Sequence, residues 1–168
     1  VCLDNGQPKL MNLKDIVAAF IRHRQEVVTR RTMFELRKAR ERGHILEGLT
    51  VALANIDRII ETIKTSANPA EARERLQAGE WAAGGVVALL EKAGAISVRP
   101  DEIEGEDKTR PFGLAGEIYR LSPTQVAAIL ELRLHRLTGL EQDKLHAEYT
   151  EILGQIAELT AILNDFNL

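Results

Sequence analysis

Apolar residues recur along the 168-residue chain at intervals of three and four, the spacing that places them on one face of an α-helix. One stripe, in the first half of the chain, comprises Ile45, Leu49, Ala52, Ile56, Ile59 and Ile63. A second, near the carboxyl end, comprises Leu145, Tyr149, Ile152, Ile156, Leu159 and Leu163. Steps that alternate between four and three are typical of a left-handed supercoil. The pattern predicts two long helices with these seams, from about residue 13 to about 65 and from about 139 to about 164.

Helix starts are marked by a short polar residue followed three positions later by a carboxylate or an amide. This arrangement occurs at Asn12, Asn68, Ser122 and Thr138. Between the long helices we predict three short ones, at 71–78, about 81–93 and 123–137. Gly94 is expected to end the second short helix in a left-handed conformation. The stretch 95–121 is rich in glycine, proline and charge, and is expected to be irregular.

Two long striped helices separated by shorter ones favour an antiparallel pair within one chain. We therefore predict an all-α fold, a long antiparallel two-helix coiled coil capped by a small helical globular dimerisation domain. The predicted divisions are a descending helix at 1–66, the dimerisation domain at 67–138 and a returning helix at 139–168. Gly43 and Gly48 lie inside the first helix and weaken it, so a bend is expected near them.

The short helix 123–137 is apolar around most of its circumference, which predicts burial on more than one side. A small domain offers little to cover so much apolar surface. We expect a partner chain to cover part of it, with Ile129, Leu132 and Arg133 as the leading contact residues of a homodimer.

Charge is distributed unevenly along the chain. Residues 22–42 hold eight basic side chains against three acidic ones, whereas residues 101–168 hold thirteen acidic against six basic. The basic stretch could face DNA diffusely, and the residues proposed for this are Arg22, Arg24, Arg30, Arg31, Arg37 and Lys38. From charge alone the favoured alternative is a solvated face or an ion-pair network with the acidic returning helix, since a charge run more often has that role.

Side chains suited to catalysis or metal binding show no productive spacing. The four histidines have neither a second histidine nor a carboxylate at ligand spacing, and no phosphate-binding glycine loop is present. Tyr119 and Tyr149 lack the neighbouring arginine and acidic cluster that attack on phosphate requires. We therefore expect both tyrosines to be structural, with no catalytic residue, metal or cofactor in this chain.

The chain begins with Val1 rather than methionine, and we expect it to be a piece of a longer protein. No run approaches the roughly 20 apolar residues that span a membrane. The one cysteine, Cys2, cannot form an internal disulfide. These features favour a cytoplasmic protein with no membrane partner.

Longer motifs make the pattern specific. The run V-V-T-R-R-T-M-F-E-L-R-K-A-R, the motif H-I-L-E-G-L and the segment A-A-I-L-E-L-R-L closely resemble the tower helix and the segment before the returning helix in type IIA topoisomerase A subunits. The matching segments are 12–16, 22–24, 27–40, 44–49, 52–57, 127–134 and 137–141. The length of 68–121 favours the gyrase A subunits over those of topoisomerase IV, in which this stretch is shorter.

The resemblance implies a role for the chain. It would be the non-catalytic coiled coil and exit gate of a gyrase A subunit, and the subunit would cleave DNA with a tyrosine in an upstream domain absent here. The parent enzyme would introduce negative supercoils by ATP-dependent double-strand passage. Implied partners are a second copy at the gate, the gyrase B subunit, duplex DNA and a proteinaceous gyrase poison at the dimerisation domain. The alternatives are the topoisomerase IV counterpart, a basic helical DNA-binding module and a permanently dimeric coiled-coil scaffold.

Overall fold

The computed structural model describes residues 1–94, 96–100, 103, 111–132 and 139–166, and within the last helix the side chains of residues 143–165. The helices are α1 (Leu13–Ala54), α2 (Ile56–Thr65), α3 (Pro69–Ala78), α4 (Val86–Ala93), α5 (Pro123–Glu131) and α6 (Gly139–Phe166). The strands are β1 (Cys2–Asp4), β2 (Gln7–Lys9), β3 (Trp81–Ala82), β4 (Gly113–Ala115) and β5 (Ile118–Arg120). The fold is mostly α-helical, which confirms the predicted class, and it adds two short sheets that the apolar pattern did not predict.

Helix α1 begins with the predicted cap and ends earlier than predicted. Asn12 accepts a hydrogen bond from the amide of Asp15 at 2.8 Å, and Asp15 accepts one from the amide of Asn12 at 3.4 Å. The helix is continuous through both internal glycines and ends at Ala54. Asn55 causes the interruption, because its side chain donates to the carbonyl of Ala82 at 2.8 Å and accepts from the amide of Ala82 at 3.2 Å. The predicted single helix to residue 65 is therefore two helices, divided at Asn55 rather than bent at a glycine.

Helices α1 and α6 pack antiparallel, as predicted. The hydroxyl of Tyr149 donates to Glu47 at 2.7 Å, whereas Leu159, further along α6, lines a groove with Glu35 and Lys38, which lie earlier in α1. Residue numbers thus rise along one helix as they fall along the other. We call residues 13–47 of α1 together with α6 the arm, and residues 48–132 the knob.

The seam on α6 has the predicted positions. Tyr149, Ile152 and Ile156 are buried, while Leu145, Leu159 and Leu163 are half-buried against the same core. On the arm stretch of α1 the buried residues are Thr32, Leu36, Ala39, Gly43, His44, Leu46 and Glu47.

The predicted seam on the first helix needs a correction. Ile56, Ile59 and Ile63 lie on α2, which packs against α3, and Ile63 lines a hollow formed with α3 and α5. Leu49 is buried and Ile45 half-buried in the core at the knob end of α1. The spacing of an apolar stripe indicates that a face is covered, but not which element covers it. Here elements of the knob cover residues that were predicted to pack against the returning helix.

The knob packs around the end of α1. Helix α5 contacts both α1 and α3, and helix α4 contacts both α1 and α6. A small antiparallel sheet in the order β3-β5-β4 places Trp81 opposite Tyr119, and both side chains are buried. One hydrophobic core therefore runs from the arm into the knob.

The helix starts within the knob follow the predicted caps, whereas some helix bounds differ. Asn68 accepts from the amide of Glu71, and Ser122 forms a reciprocal pair with Gln125 at the start of α5. The segment predicted as one helix, about 81–93, consists of strand β3 followed by helix α4. Helix α4 ends at Ala93, and the next residue, Gly94, has a φ of 56°. Helix α5 ends at Glu131 because Leu132 is extended, and the rest of the predicted helix, including Arg133, lies outside the described residues.

Candidate functional site

A buried hydrogen-bond network lies where the arm meets the knob, and Glu47 is at its centre. One carboxylate oxygen of Glu47 accepts from the Tyr149 hydroxyl of α6 at 2.7 Å, and the other accepts from the Tyr119 hydroxyl of β5 at 3.2 Å. Glu47 is only 5% exposed, and both tyrosines are buried. Hydrogen bonds to an ionised carboxylate are about twice as strong as those between neutral groups. A single α1 side chain thus joins the returning helix to the knob sheet.

The network continues from Tyr119 into α5. The side-chain amide of Gln125 donates to the Tyr119 hydroxyl at 2.8 Å and to the main-chain carbonyl of His44 at 2.7 Å. A hydrogen bond of 2.7 Å also joins His44 Nε2 and the hydroxyl of Ser122. Gln125 and Ser122 form the cap of α5 as well, so the same residues start α5 and fasten it to α1. Such fully connected polar groups specify one relative placement of the elements that carry them.

Close approach of the backbones makes the network possible. A Cβ atom built on Gly48 would lie 2.7 Å from the Cβ and Cγ of Gln125, and one built on Gly43 would lie 2.9 Å from two atoms of Val98. Any side chain at Gly48 would therefore displace α5 from α1. The two glycines that weaken α1 as a helix serve as contact surfaces for the knob.

Burial sets the protonation of this site. Desolvation raises the pKa of Glu47, and the hydrogen bonds from Tyr149 and Tyr119 oppose that rise. Desolvation also raises the pKa of both tyrosines, and the nearby charge of Glu47 raises each further. Both phenols stay protonated at neutral pH and donate their protons to Glu47.

Beside the network is a cavity of about 300 Å³. Glu47, His44 and Tyr119 line it together with Arg99 and Phe112. Arg99 donates to the carbonyl of Phe112 at 2.7 Å. The cavity is an extension of the network just described, and it holds no separate cluster of reactive groups among the described residues.

The basic stretch of α1 is exposed, and its charges fall into two groups. Arg30 forms an ion pair with Glu26 at 3.6 Å, and Arg31 forms one with Glu35 at 2.8 Å. Each partner lies one helical turn away in α1. Lys38 lies over the ring of Phe34, 4.6 Å from its centroid. By contrast Arg22, Arg24 and Arg37 are exposed and form no ion pair with any residue that the structure describes.

The alternative role of the basic stretch, pairing with the acidic α6, is seen at Arg42, which is outside the residues proposed for DNA. Arg42 donates to Glu148 at 2.6 Å, and both side chains are partly exposed. The charges of Arg22, Arg24 and Arg37 therefore remain available to an external anion.

The predicted dimer contacts occupy different environments. Ile129 is 2% exposed and belongs to the core of its own chain, which corrects its assignment to the interface. Leu132 is half-buried against that core, and Arg133 lies outside the described residues. The helical spacing of α5 could not distinguish the two sides of an apolar helix, because both carry aliphatic residues.

The outward side of α5 forms a different surface. Ala127 and Leu130 are half-buried and line a hollow of about 480 Å³ with Ile63 of α2 and Ala72 of α3. Helix α2 follows the carboxyl end of α1, so this hollow lies at the end of the molecule away from the start of the arm. Its apolar lining is available to another molecule.

Sequence reasoning missed the polar network. Glu47 lies between the buried residues Leu46 and Gly48. A carboxylate inside an apolar helix segment is unusual because it must be hydrogen-bonded when buried. That signal was available, whereas its partners Tyr119 and Tyr149, 72 and 102 residues away, could not be inferred from spacing.

Among the helices that the structure describes, none combines the length and the apolar content needed to cross a bilayer. The described residues contain no group of three or more histidine, cysteine, aspartate or glutamate side chains arranged to hold a metal ion.

Comparison with known proteins gives the family. The family model for the A subunits of DNA gyrase and topoisomerase IV matches residues 1–167. The A subunit of DNA gyrase from Pseudomonas aeruginosa is 58% identical over 165 residues, which are 98% of this chain and 17% of that protein. The protein of the same name from Escherichia coli K12 is 59% identical over 149 residues, or 89% of this chain and 16% of its own length. That of Neisseria gonorrhoeae is 45% identical over 166 residues, or 98% of the chain and 18% of its own length.

The match covers nearly the whole chain but only about a sixth of each relative. The chain therefore belongs to the DNA gyrase/topoisomerase IV A-subunit family, and within it to the gyrase A subunits.

Proposed function

We propose that this chain is the arm and the exit gate of a gyrase A subunit, and that it opens and closes a passage for DNA. The observation that carries the proposal is the antiparallel α1–α6 arm ending in a small knob with an apolar hollow at its far end. In this proposal the complete enzyme introduces negative supercoils into DNA by ATP-dependent double-strand passage. The cleavage chemistry resides in another part of the subunit.

The arm suits the transmission of motion. Its helices satisfy their own backbone hydrogen bonds, and from Leu36 onward α1 shares one core with α6, so this part of the pair moves as one body. Movement at the start of α1 is then carried to the knob, which begins about 50 Å further along the 42-residue helix.

The knob suits a reversible contact with a second copy. A closed two-fold contact uses the same patch on both partners. The hollow offers an apolar surface on which Ala127, Leu130 and Ile63 are only partly covered in the single chain. Interfaces of ordinary size span micromolar to picomolar affinity, which permits a gate that separates and closes again.

The exposed arginines suit weak attraction of DNA inside such a passage. Arg22, Arg24 and Arg37 lie on an exposed helix without an acidic partner among the described residues. Contacts of arginine with phosphate give affinity that depends on salt and carries no sequence information. This supports diffuse holding of the transported duplex rather than a base-reading module.

Partners follow from the same proposal. The complete protein would act in the cytoplasm together with a gyrase B subunit, and a proteinaceous poison would act at the knob. The sequence motif at 127–134, which supports that last assignment, begins in α5 beside the hollow.

The proposal is tested with the full-length protein that contains this chain, mixed with relaxed plasmid and a gyrase B subunit. We expect negative supercoils to accumulate only when ATP is present. Relaxation and decatenation without supercoiling would contradict the gyrase assignment and favour the topoisomerase IV alternative. Salt-sensitive DNA binding without any change of topology would favour the basic-module alternative.

A further inference from the structure

Glu47 lies at the point where three parts of the molecule converge. It is on α1, which runs continuously from the arm into the knob, and its two oxygens bind one tyrosine of α6 and one of β5. Each oxygen accepts from a different element. The carboxylate is therefore a bridge between elements that are 102 and 72 residues away in sequence.

Apolar packing alone leaves the setting of α6 weakly defined. Ile152, Leu153 and Ile156 bury aliphatic surface against α1 and the knob, and burial of such surface is non-directional. Aliphatic helices can tilt or rotate over one another with little loss of buried area. A hydrogen bond to a carboxylate has strict distance and angle requirements and is stronger in a buried site.

We propose that Glu47 is the positioning residue that fixes the tilt and rotation of the returning helix relative to the knob, so that movement of the arm reaches the gate. The inference rests on the proposed arm-and-gate function. The hydrogen bond from Tyr149 fixes α6 relative to one oxygen of Glu47. The hydrogen bond from Tyr119, which accepts from Gln125, fixes the knob relative to the other oxygen. Without this bridge the arm and knob remain packed but no longer share one orientation.

If α6 tilts relative to the knob, the residues near its carboxyl end should be displaced most. Ala161 lies twelve residues beyond Tyr149, a lever of about 18 Å along the helix. A tilt of about 10° at Tyr149 would move that position by about 3 Å. Glu74 on α3 is an exposed reference point in the knob.

The test is a pulsed electron-spin distance measurement on the 168-residue chain with Cys2→Ser and spin labels at Ala161→Cys and Glu74→Cys. The labelled chain is diluted into unlabelled chain so that only distances within one molecule contribute. We expect one narrow distance distribution in the parent. With Tyr149→Phe or Glu47→Gln we expect the distribution to broaden about twofold or its mean to move by about 3 Å.

Two matched controls separate orientation from stability. Thr150→Val removes a neighbouring hydroxyl that donates to the carbonyl of His146 in its own helix. Ile156→Val trims a buried aliphatic side chain and lowers stability without touching the bridge. Both controls should keep the narrow distribution of the parent.

Two outcomes would overturn the inference. One is a Tyr149→Phe distribution that matches those of the controls while the melting temperature falls, because the hydroxyl would then serve stability alone. The other is broadening of equal size with Ile156→Val. Neither outcome depends on dimerisation, so a failure of this inference is distinguishable from a failure of the proposed gate.

Discussion

At the scale of single residues, the main feature is a carboxylate kept in the core by hydrogen bonds. Glu47 is withdrawn from water, which disfavours its charged form, and the two tyrosine hydroxyls recover part of that cost. The balance leaves its pKa above its ordinary value. Burial of Glu47 therefore positions the arm but lowers the free energy of unfolding at neutral pH.

The pH dependence of unfolding should reveal this loss of stability. Because the pKa of Glu47 is higher in the folded chain, the folded state binds a proton more readily than the unfolded state above pH 4.5. Stability should fall as pH rises from 4.5 through the folded pKa, and Glu47→Gln should remove this component. A tenfold difference in proton affinity corresponds to about 1.4 kcal/mol of unfolding free energy.

Urea unfolding at a series of pH values measures this component, with Glu74→Gln on the exposed face of α3 as the control. Parallel pH profiles for the parent and Glu47→Gln would show that Glu47 titrates alike in both states. Burial would then not be what raises the pKa of this carboxylate in the folded chain.

Prediction from sequence was uneven at this scale, for a physical reason. Ser122 and Gln125 were recognised as a cap because a cap is formed within four residues. The second role of Gln125, donating to Tyr119 and to the carbonyl of His44, depends on how α5 packs against α1. Spacing within one segment carries no information about such contacts.

At the scale of elements, small residues decide how closely α1 approaches its neighbours. Gly43 and Gly48 are buried against the knob, whereas a Cβ atom added to Gly154, on the outer face of α6, would have no other atom within 4 Å. Glycine therefore has opposite effects on stability in the two helices. In α1 the missing side chain permits contact, and in α6 it only weakens the helix.

This difference gives a matched pair of substitutions. Gly48→Ala should destabilise the chain by about 1–3 kcal/mol, because its methyl group overlaps Gln125 and forces α5 away. Gly154→Ala should stabilise it by up to about 1 kcal/mol through improved helix propensity alone. Denaturant unfolding measures both. Stabilisation by both substitutions would show that the close approach of α5 to α1 is not a constraint.

Element boundaries were predictable where the signal is local. The start of α1 followed from Asn12 and the covered face of α6 from its own stripe, whereas the first stripe lies at the knob end of α1 and on α2. The break at Asn55 was not predictable, because it depends on contact with Ala82, 27 residues away. The β1–β2 hairpin had a local signal that was overlooked: Asn5-Gly6 forms its turn with φ values of 51° and 78°, as a type I′ turn requires.

At the scale of the whole molecule, a stiff arm carries a knob with a partly covered apolar hollow. The apolar character of α5 was recognised from the sequence, but not which of its sides faces outward. Neighbouring residues resolve this: Ile129 faces the core of its own chain, and Leu130 faces the hollow. They provide a paired test of where a second copy binds.

That test is sedimentation equilibrium of the 168-residue chain beside circular dichroism. We predict reversible association at micromolar concentration toward twice the monomer mass of 18.7 kDa. Leu130→Asp should stay helical and weaken dimerisation about tenfold or more, since burying a charge at both copies of a two-fold contact costs well over 1.4 kcal/mol. Ile129→Asp should instead lose helix. A parent chain that stays monomeric, or a Leu130→Asp variant that dimerises unchanged, would contradict the proposal that this face of the knob is the gate.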